Sequence, residues 1–322
     1  VIMGVCVLKI LKDKKIVPKY NVCVMGIRGE ESCWFPYSYI GSKIALGVFE
    51  KNLLKKLIRT DTGKSLKDHI NFSGFDSSSV AAKKTKFDFK NTIAFIEPHI
   101  EQGPVLEKTK IPLGIVTGIR GSIRYRKARC IGKYLHSGAT PIDYRSDSVL
   151  AVSTLVAEMN DVWKQELKKN KDLTITFGEF YTDNKEHSFA KSAGLVNFCI
   201  DLRSNSKTTL IKIKNTLFKK IKKIEKETNT LFKLGEKTDS EPALMNKKLI
   251  NKFKSAAINS KVKYKIMASG AGHDASVFSN NNIPSLMLFI RNKHGSHNPK
   301  EYMSMKHFST VLSVLKNSIL NF

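Results

Sequence analysis

The sequence predicts an α/β protein, a sheet covered by helices, into which a smaller α+β domain of antiparallel strands and two helices is inserted. Three observations predict it. Helix-period and strand-period apolar patterns alternate over residues 1–113. From 114 to 237 the order becomes strands, a long helix, two strands and a second long helix. After residue 238 the first kind of alternation returns. Residues 1–113 and 238–322 are therefore expected to form one domain, and 114–237 an insertion within it.

Each element has its own reason. "VIMGVCVLKILKD" has helical spacing, and "KYNVCVMGI" (19–27) reads as a buried strand. "SYIGSKIALGVF" and "KNLLKKLIRTDTGKSLKDHI" read as helical, and "NTIAFIEPHIEQG" as a strand running into a loop. "GIVTGIRGSIRYRKARCIG" is strand-rich. "SDSVLAVSTLVAEMNDVWKQELKK" is an amphipathic helix whose buried face is expected at Val149, Val152, Val156, Met159 and Trp163. "LTITFGEFY" and "LVNFCIDLRS" are the next strands. "LIKIKNTLFKKIKKIEKE" follows, with Leu210, Ile213, Leu217, Ile221 and Ile224 on one face and lysines on the other. Further on, "NKKLINKFKSAAINS" is helical, "GAGHDASVFSNN" is a loop feeding a helix, and "IPSLMLFI" is a buried strand. "HGSHNPKEYMS" is a loop, and "HFSTVLSVLKNSILNF" closes the chain as a helix.

Composition narrows the function classes. The hydrophobic fraction of 41% and charged fraction of 26% are those of a globular protein. No run of about 18 apolar residues exists, so no membrane span and no membrane partner is expected. The first residues lack the flanks of a signal peptide, which points to the cytoplasm. Val1, standing inside an apolar pattern, reads as a cut through a domain. The net charge of +27 raises a nucleic-acid partner, but only 9 of the 55 basic residues are Arg and the lysines are spread along the chain. A genome-wide compositional bias fits that pattern as well as binding does, and a nucleic-acid partner is not expected. Cys6, Cys23, Cys33, Cys130 and Cys199 include no C-x-x-C pair, and reduced, buried thiols are expected.

The chemistry gathers at loop openings. "MGIRGEESCWF" places Glu30 and Glu31 side by side at the end of an apolar run. Such a pair is either a solvated strand end or a metal site in which one carboxylate binds the cation and the other handles protons. Four of the eight histidines, His99, His136, His273 and His297, lie in Gly- or Pro-marked loops after apolar runs. Taken singly, each reads as a capping or core histidine. Together with the glutamates they point to a divalent-metal site beyond the strand ends of an α/β sheet.

"EPHIEQGPVLE...IPLGIVTGIRG" followed by "HSGATPIDYRSDSVLA" resembles the zinc-dependent amidohydrolases of the carbamoylase branch of the aminoacylase-type metallopeptidases. That branch includes N-carbamoyl-L-amino-acid hydrolase, β-alanine synthase and allantoate amidohydrolase. "GEESCWF", "CIDLRS", "SGAGHDA" and "SHNPKE" recur in the family's order, and the likeness runs from Val1 through Phe322. The resemblance implies a metal-dependent hydrolase of linear C–N bonds in N-carbamoyl or ureido acids, with 1–113 and 238–322 as the catalytic domain. It implies two divalent ions per subunit, Zn2+ or else Mn2+ or Co2+. Glu30 would be the general base. Glu31 and His297 would ligate one metal and His99 the other. Gln102 would contact the substrate, Arg203 would clamp its carboxylate, and His273 would line its pocket. Residues 114–237 would form the interface of a homodimer, across which His136 would stabilise the oxyanion.

Two departures qualify this. The family's site also uses a His and a metal-bridging Asp upstream of the Glu pair, whereas no Asp or His precedes Asp13 here. Relatives often carry an Asn shortly before the Arg strand, where "SFAKSAGLVNF" has Ala190. The alternative expectation is thus a catalytically inactive fragment or decayed homologue that keeps the dimerisation domain. Allantoate or an N-acyl amino acid are the other substrates to consider.

Overall fold

The computed structural model describes residues 1–85 and 88–322, and the chain divides into two compact units, Val1–Ile119 with Ala243–Phe322, and Arg120–Pro242. The first unit begins with α1 (Ile2–Asp13), which buries Met3, Val7 and Leu11, four residues apart on one stripe. Short helices α2 (Ile40–Ala45), α3 (Leu53–Lys56), α4 (Leu66–Phe72) and α5 (Ser77–Ala81) follow. They enclose a small apolar cluster of Ile40, Phe49, Leu54, Leu57 and Leu66. Next come β1 (Phe95–Ile100), α6 (Val105–Thr109) and β2 (Leu113–Ile119).

The second unit holds β3 (Gly121–Ile131), α7 (Ser148–Lys168), β4 (Thr174–Thr176), β5 (Phe180–Thr182), β6 (Leu195–Ser204), α8 (Lys207–Thr228), β7 (Leu231–Lys233) and β8 (Lys237–Ser240). The chain then returns to the first unit with β9 (Ala243–Leu244), α9 (Lys247–Asn259), β10 (Tyr264–Ser269), α10 (Asp274–Asn280), β11 (Ser285–Ile290) and α11 (Met305–Leu320).

The first unit's sheet runs β1-β11-β2-β10, with β9 added to β2. β1 is parallel to β11, β11 antiparallel to β2, and β2 parallel to β10. All six residues of β11 are buried. Since successive side chains point to opposite faces, both faces of the sheet at β11 are covered. Because β1 and β11 run together, their carboxyl ends meet at Ile100 and Ile290, and the loops that leave them open side by side. In such sheets ligands bind beyond the carboxyl ends of the strands.

In the second unit β3 pairs antiparallel with β6, β7 and β8, and β6 with β4 and β5. α8 buries Leu210, Ile213, Leu217, Ile221 and Ile224, the stripe its sequence spacing indicates. α7 buries Ala151, Val152, Leu155 and Met159, while Val149, Val156 and Trp163 are only partly covered. The buried stripe is therefore centred about one position away from the expected face, on Ala151, Val152, Leu155 and Met159.

Four other expectations are corrected. Residues 19–27 form no strand. A strand requires a hydrogen-bonded neighbour, and β1, at the sheet edge, pairs with β11 alone among the described residues. Instead Val24 lies so close to α1 that a Cβ on Gly4 would come within 2.9 Å of its Cγ2. The stretch 51–70 is broken into two helices by a turn at Gly63, whose φ of +66° favours glycine, and by a Ser65–Asp68 capping box. β2 joins the first unit's sheet rather than the insertion, since its backbone partners are β10, β11 and β9. All five cysteines are free, but only Cys130 is buried, and Cys23 and Cys33 are exposed.

Candidate active site

The two glutamates are set by a closed loop. Tyr39 N–H donates to Glu30 O at 2.9 Å and Ile40 N–H to Gly29 O at 2.9 Å, so residues 30–38 leave and return at one point. Gly29 enters with a φ of +66°, and its α-carbon faces Ile40. This turn sends the neighbouring carboxylates to different places. Glu31 is exposed and Glu30 half-buried, which relieves the repulsion that adjacent carboxylates would suffer in one desolvated spot.

The loops after β1 and β11 are locked together by Asn292, which is 1% exposed. Its Oδ1 accepts from the backbone N–H of Gln102 at 3.2 Å, and its Nδ2 donates to Gly295 O at 2.7 Å. Gln102 Nε2 donates to Ser296 Oγ at 3.1 Å, and Ser296 Oγ in turn donates to Glu301 Oε2. Gln102, His294 and His297 all hold positive φ, between 61° and 66°. Each such non-glycine residue costs of order 1–3 kcal/mol, and such strain tends to gather at functional sites. Glu101 plays a structural part, because its carboxylate accepts from Val105 N–H and Leu106 N–H at 2.8 and 2.6 Å and so caps α6.

Between these loops lies a depression of about 410 Å3 lined by Glu31, His99, Gln102, Ser296, His297 and Glu301, among others. His297 Nε2 stands 3.3 Å from Glu31 Oε1. His99 Nδ1 donates to Ile100 O at 2.8 Å, which fixes the orientation of the ring. The structure therefore brings Glu31, His99, Gln102 and His297 to one place.

Behind this rim sits a group of buried acids. Burial first, then the charges of Asp274 and Glu31, raise the Glu30 carboxyl to about 7. Glu97, on β1, is pushed to about 8, chiefly by burial and further by Asp274 and Glu30, although the Ala275 N–H it accepts at 2.7 Å pulls the other way. Burial also raises Asp274, against a hydrogen bond from Ser42. His273 does not line the depression but lies beneath it, 2% exposed, its ring centroid 4.6 Å from that of His99. Burial, and then the proximity of His99, pull its pKa down to about 3, so it is neutral. Sequence reasoning missed Glu97, Asp274, Asn292, Ser296 and Glu301. For the first two the available signal was a carboxylate within an apolar strand, "FIEPHI", and one directly after a flagged histidine, "GHDA".

His136 and Arg203 belong to the second unit. His136 is exposed, and its Nδ1 accepts from Gly138 N–H and Ala139 N–H at 3.2 and 3.1 Å, leaving Nε2 outward. Arg203, on β6, is held by Asp201 through Nε at 3.0 Å and Nη2 at 2.8 Å.

A catalytic zinc takes three protein ligands and keeps a position for water. Among the described residues, no three His, Cys, Asp or Glu side chains converge to hold an ion. Glu31 and His297 form a two-donor pair and His99 lines the same depression, so the set present does not fit a firmly held ion.

The profile of peptidase family M20/M25/M40 matches residues 1–321. The chain is 32% identical to an allantoate amidohydrolase of Escherichia coli, over 90% of this chain and 68% of that protein. It is 31% identical to an allantoate amidohydrolase of Bacillus subtilis, over 98% and 74%. An N-carbamoyl-L-amino-acid amidohydrolase of a Pseudomonas strain is 26% identical over 99% and 76%. Among solved structures, a hydantoinase/carbamoylase family amidase of Burkholderia multivorans superposes with a TM-score of 0.86 at 24% identity, covering 99% of this chain and 74% of that one.

Proposed function

The chain belongs to peptidase family M20/M25/M40, and from that premise we propose that it hydrolyses a linear C–N bond in an N-carbamoyl or ureido acid, with allantoate among the candidate substrates. The observation that carries the reading is Glu30, half-buried and next in the chain to the rim residue Glu31, with its carboxyl raised by burial to about 7. At neutral pH such a group is present in both protonation states. It accepts the proton of the attacking water and returns it to the leaving nitrogen. Gln102, fixed by Ser296, supplies an amide for the polar end of the substrate. His273, neutral beneath His99, adds no positive charge there. Arg203 is the proposed clamp for the substrate carboxylate and His136 the proposed oxyanion donor, in a homodimer formed through residues 114–237 and working in the cytoplasm.

The family is generally dependent on divalent metal ions. Glu31, His99 and His297 are the residues through which this chain would contact one, but they do not by themselves complete a site. That observation favours a second reading, an inactive relative that keeps the fold. One experiment separates them. The protein is incubated with allantoate, N-carbamoyl-β-alanine and N-carbamoyl-L-amino acids, with and without Zn2+, Mn2+ or Co2+, and ammonia is measured. Turnover that is lost in Glu30→Gln supports the hydrolase. No turnover under any condition, with less than one ion retained per chain, supports the inactive reading.

A further inference from the structure

The sheet of the second unit has two faces of opposite character. One carries Ile123, Tyr125, Ala128 and Cys130 of β3 and packs on the apolar core. The other is open and holds a depression of about 860 Å3, lined by Arg124, Arg126, Lys127, Arg129 and Arg203, with Glu179 and Asp201 the only acids among its described lining residues. That volume lies in the range of small-molecule sites, roughly 300–1,000 Å3.

The charges on this face are unevenly compensated. Asp201 serves two guanidinium groups, Arg203 at 2.8 Å and Arg124 at 3.3 Å. Arg126, Lys127 and Arg129 have no ion pair among the described residues. Their crowding has a local cause. The pairing of β3 with β6 slips between Tyr125 and Ala128, so Arg126 and Lys127 together oppose the single residue Cys199. Such a bulge breaks the alternation of faces and re-aims side chains, and both residues are exposed. Across the ladder Arg129 is directly opposite Lys233, which is also exposed and has no ion pair among the described residues. Like charges directly opposite on antiparallel strands are destabilising, and a bound anion would relieve them. Asn197, the partner of Arg129 on β6, and Tyr181 add neutral hydrogen-bonding groups.

We propose that this open face binds a small polyanion of the polyphosphate class, held by Arg126, Lys127 and Arg129 with Lys233 at the edge. A concave site of this volume suits a compact ligand with several anionic groups better than a nucleic-acid strand, which needs an extended track.

The test is calorimetric titration of the full chain with tripolyphosphate and, separately, orthophosphate at 150 mM salt (roughly the physiological ionic strength). Saturable 1:1 binding of tripolyphosphate is expected, with Kd at least tenfold higher in Arg129→Ala/Lys233→Ala and also raised in Lys127→Ala. The control is Lys219→Ala/Lys222→Ala, two exposed lysines of α8. It is expected to bind as wild type. Orthophosphate binding with the same residue dependence but a weaker Kd would support the polyanion preference. No saturable binding, equal weakening in the α8 control, or binding of single-stranded RNA with none of tripolyphosphate would each overturn the proposal.

Discussion

The rim and the floor of the candidate site use the same residue types under opposite conditions. At the rim Glu31 and His297 stand 3.3 Å apart with side chains 53% and 67% exposed. On the floor Asp274 is buried and Glu30 and Glu97 are partly so, close enough that Asp274 raises the pKa of both, and His273 is neutral with an unpartnered Nε2. At the rim, solvent screens each charge, and the pair contributes little to stability. On the floor, burial raises the carboxyls of Glu30, Glu97 and Asp274 and lowers the His273 imidazole, each shift toward the uncharged form. Environment, not residue identity, divides the labour between a contact surface and a proton-handling interior.

Substitutions can break this contrast in order of effect. Glu30→Gln keeps the shape and removes the base, so kcat on any substrate the protein turns over should fall at least ~100-fold. Steady-state ammonia release measures it. Glu97→Gln addresses the floor alone. Its folded carboxyl, near 8, lies above the ordinary 4.5. Between those values the folded chain holds a proton that the unfolded chain has lost. The stability from this group is full below about 4.5 and is lost as pH rises through about 8, a change on the order of a few kcal/mol. Denaturant unfolding at pH 5 and pH 8 should show that decline in wild type and less of it in Glu97→Gln.

Asn292→Ala strands the Gln102 N–H and the Gly295 carbonyl that it now serves. Unfolding free energy should drop by about 1–3 kcal/mol, measured by urea titration. Glu31→Ala, at the rim, should change stability by no more than ~0.5 kcal/mol by the same measurement. A large loss there would erase the distinction.

Much of this was legible in the sequence, for physical reasons that can be named. The stripe of α8 follows directly from helical spacing, and Gly and Pro marked both His297, in the loop after β11, and His99, which lies near the end of strand β1 rather than in the loop expected for it. Residues 19–27 were misread because an apolar run shows the capacity to pair but not the presence of a partner strand. The buried acids were missed because burial of a carboxylate depends on what folds over it. Glu97 is covered by α10, nearly 180 residues away in sequence, whose Ala275 N–H it accepts. Asn292 was missed for a related reason, since its role lies in joining Gln102 to Gly295 across distant loops.

The most direct measurement is a 13C NMR titration of the side-chain carboxyls in wild type and Glu30→Gln. A carboxyl with its midpoint near 7 that disappears in Glu30→Gln is the expected result. If every carboxyl in the wild-type protein instead titrates at ordinary values, roughly 4, then Glu30 is not a desolvated base and the proposed chemistry has no proton acceptor.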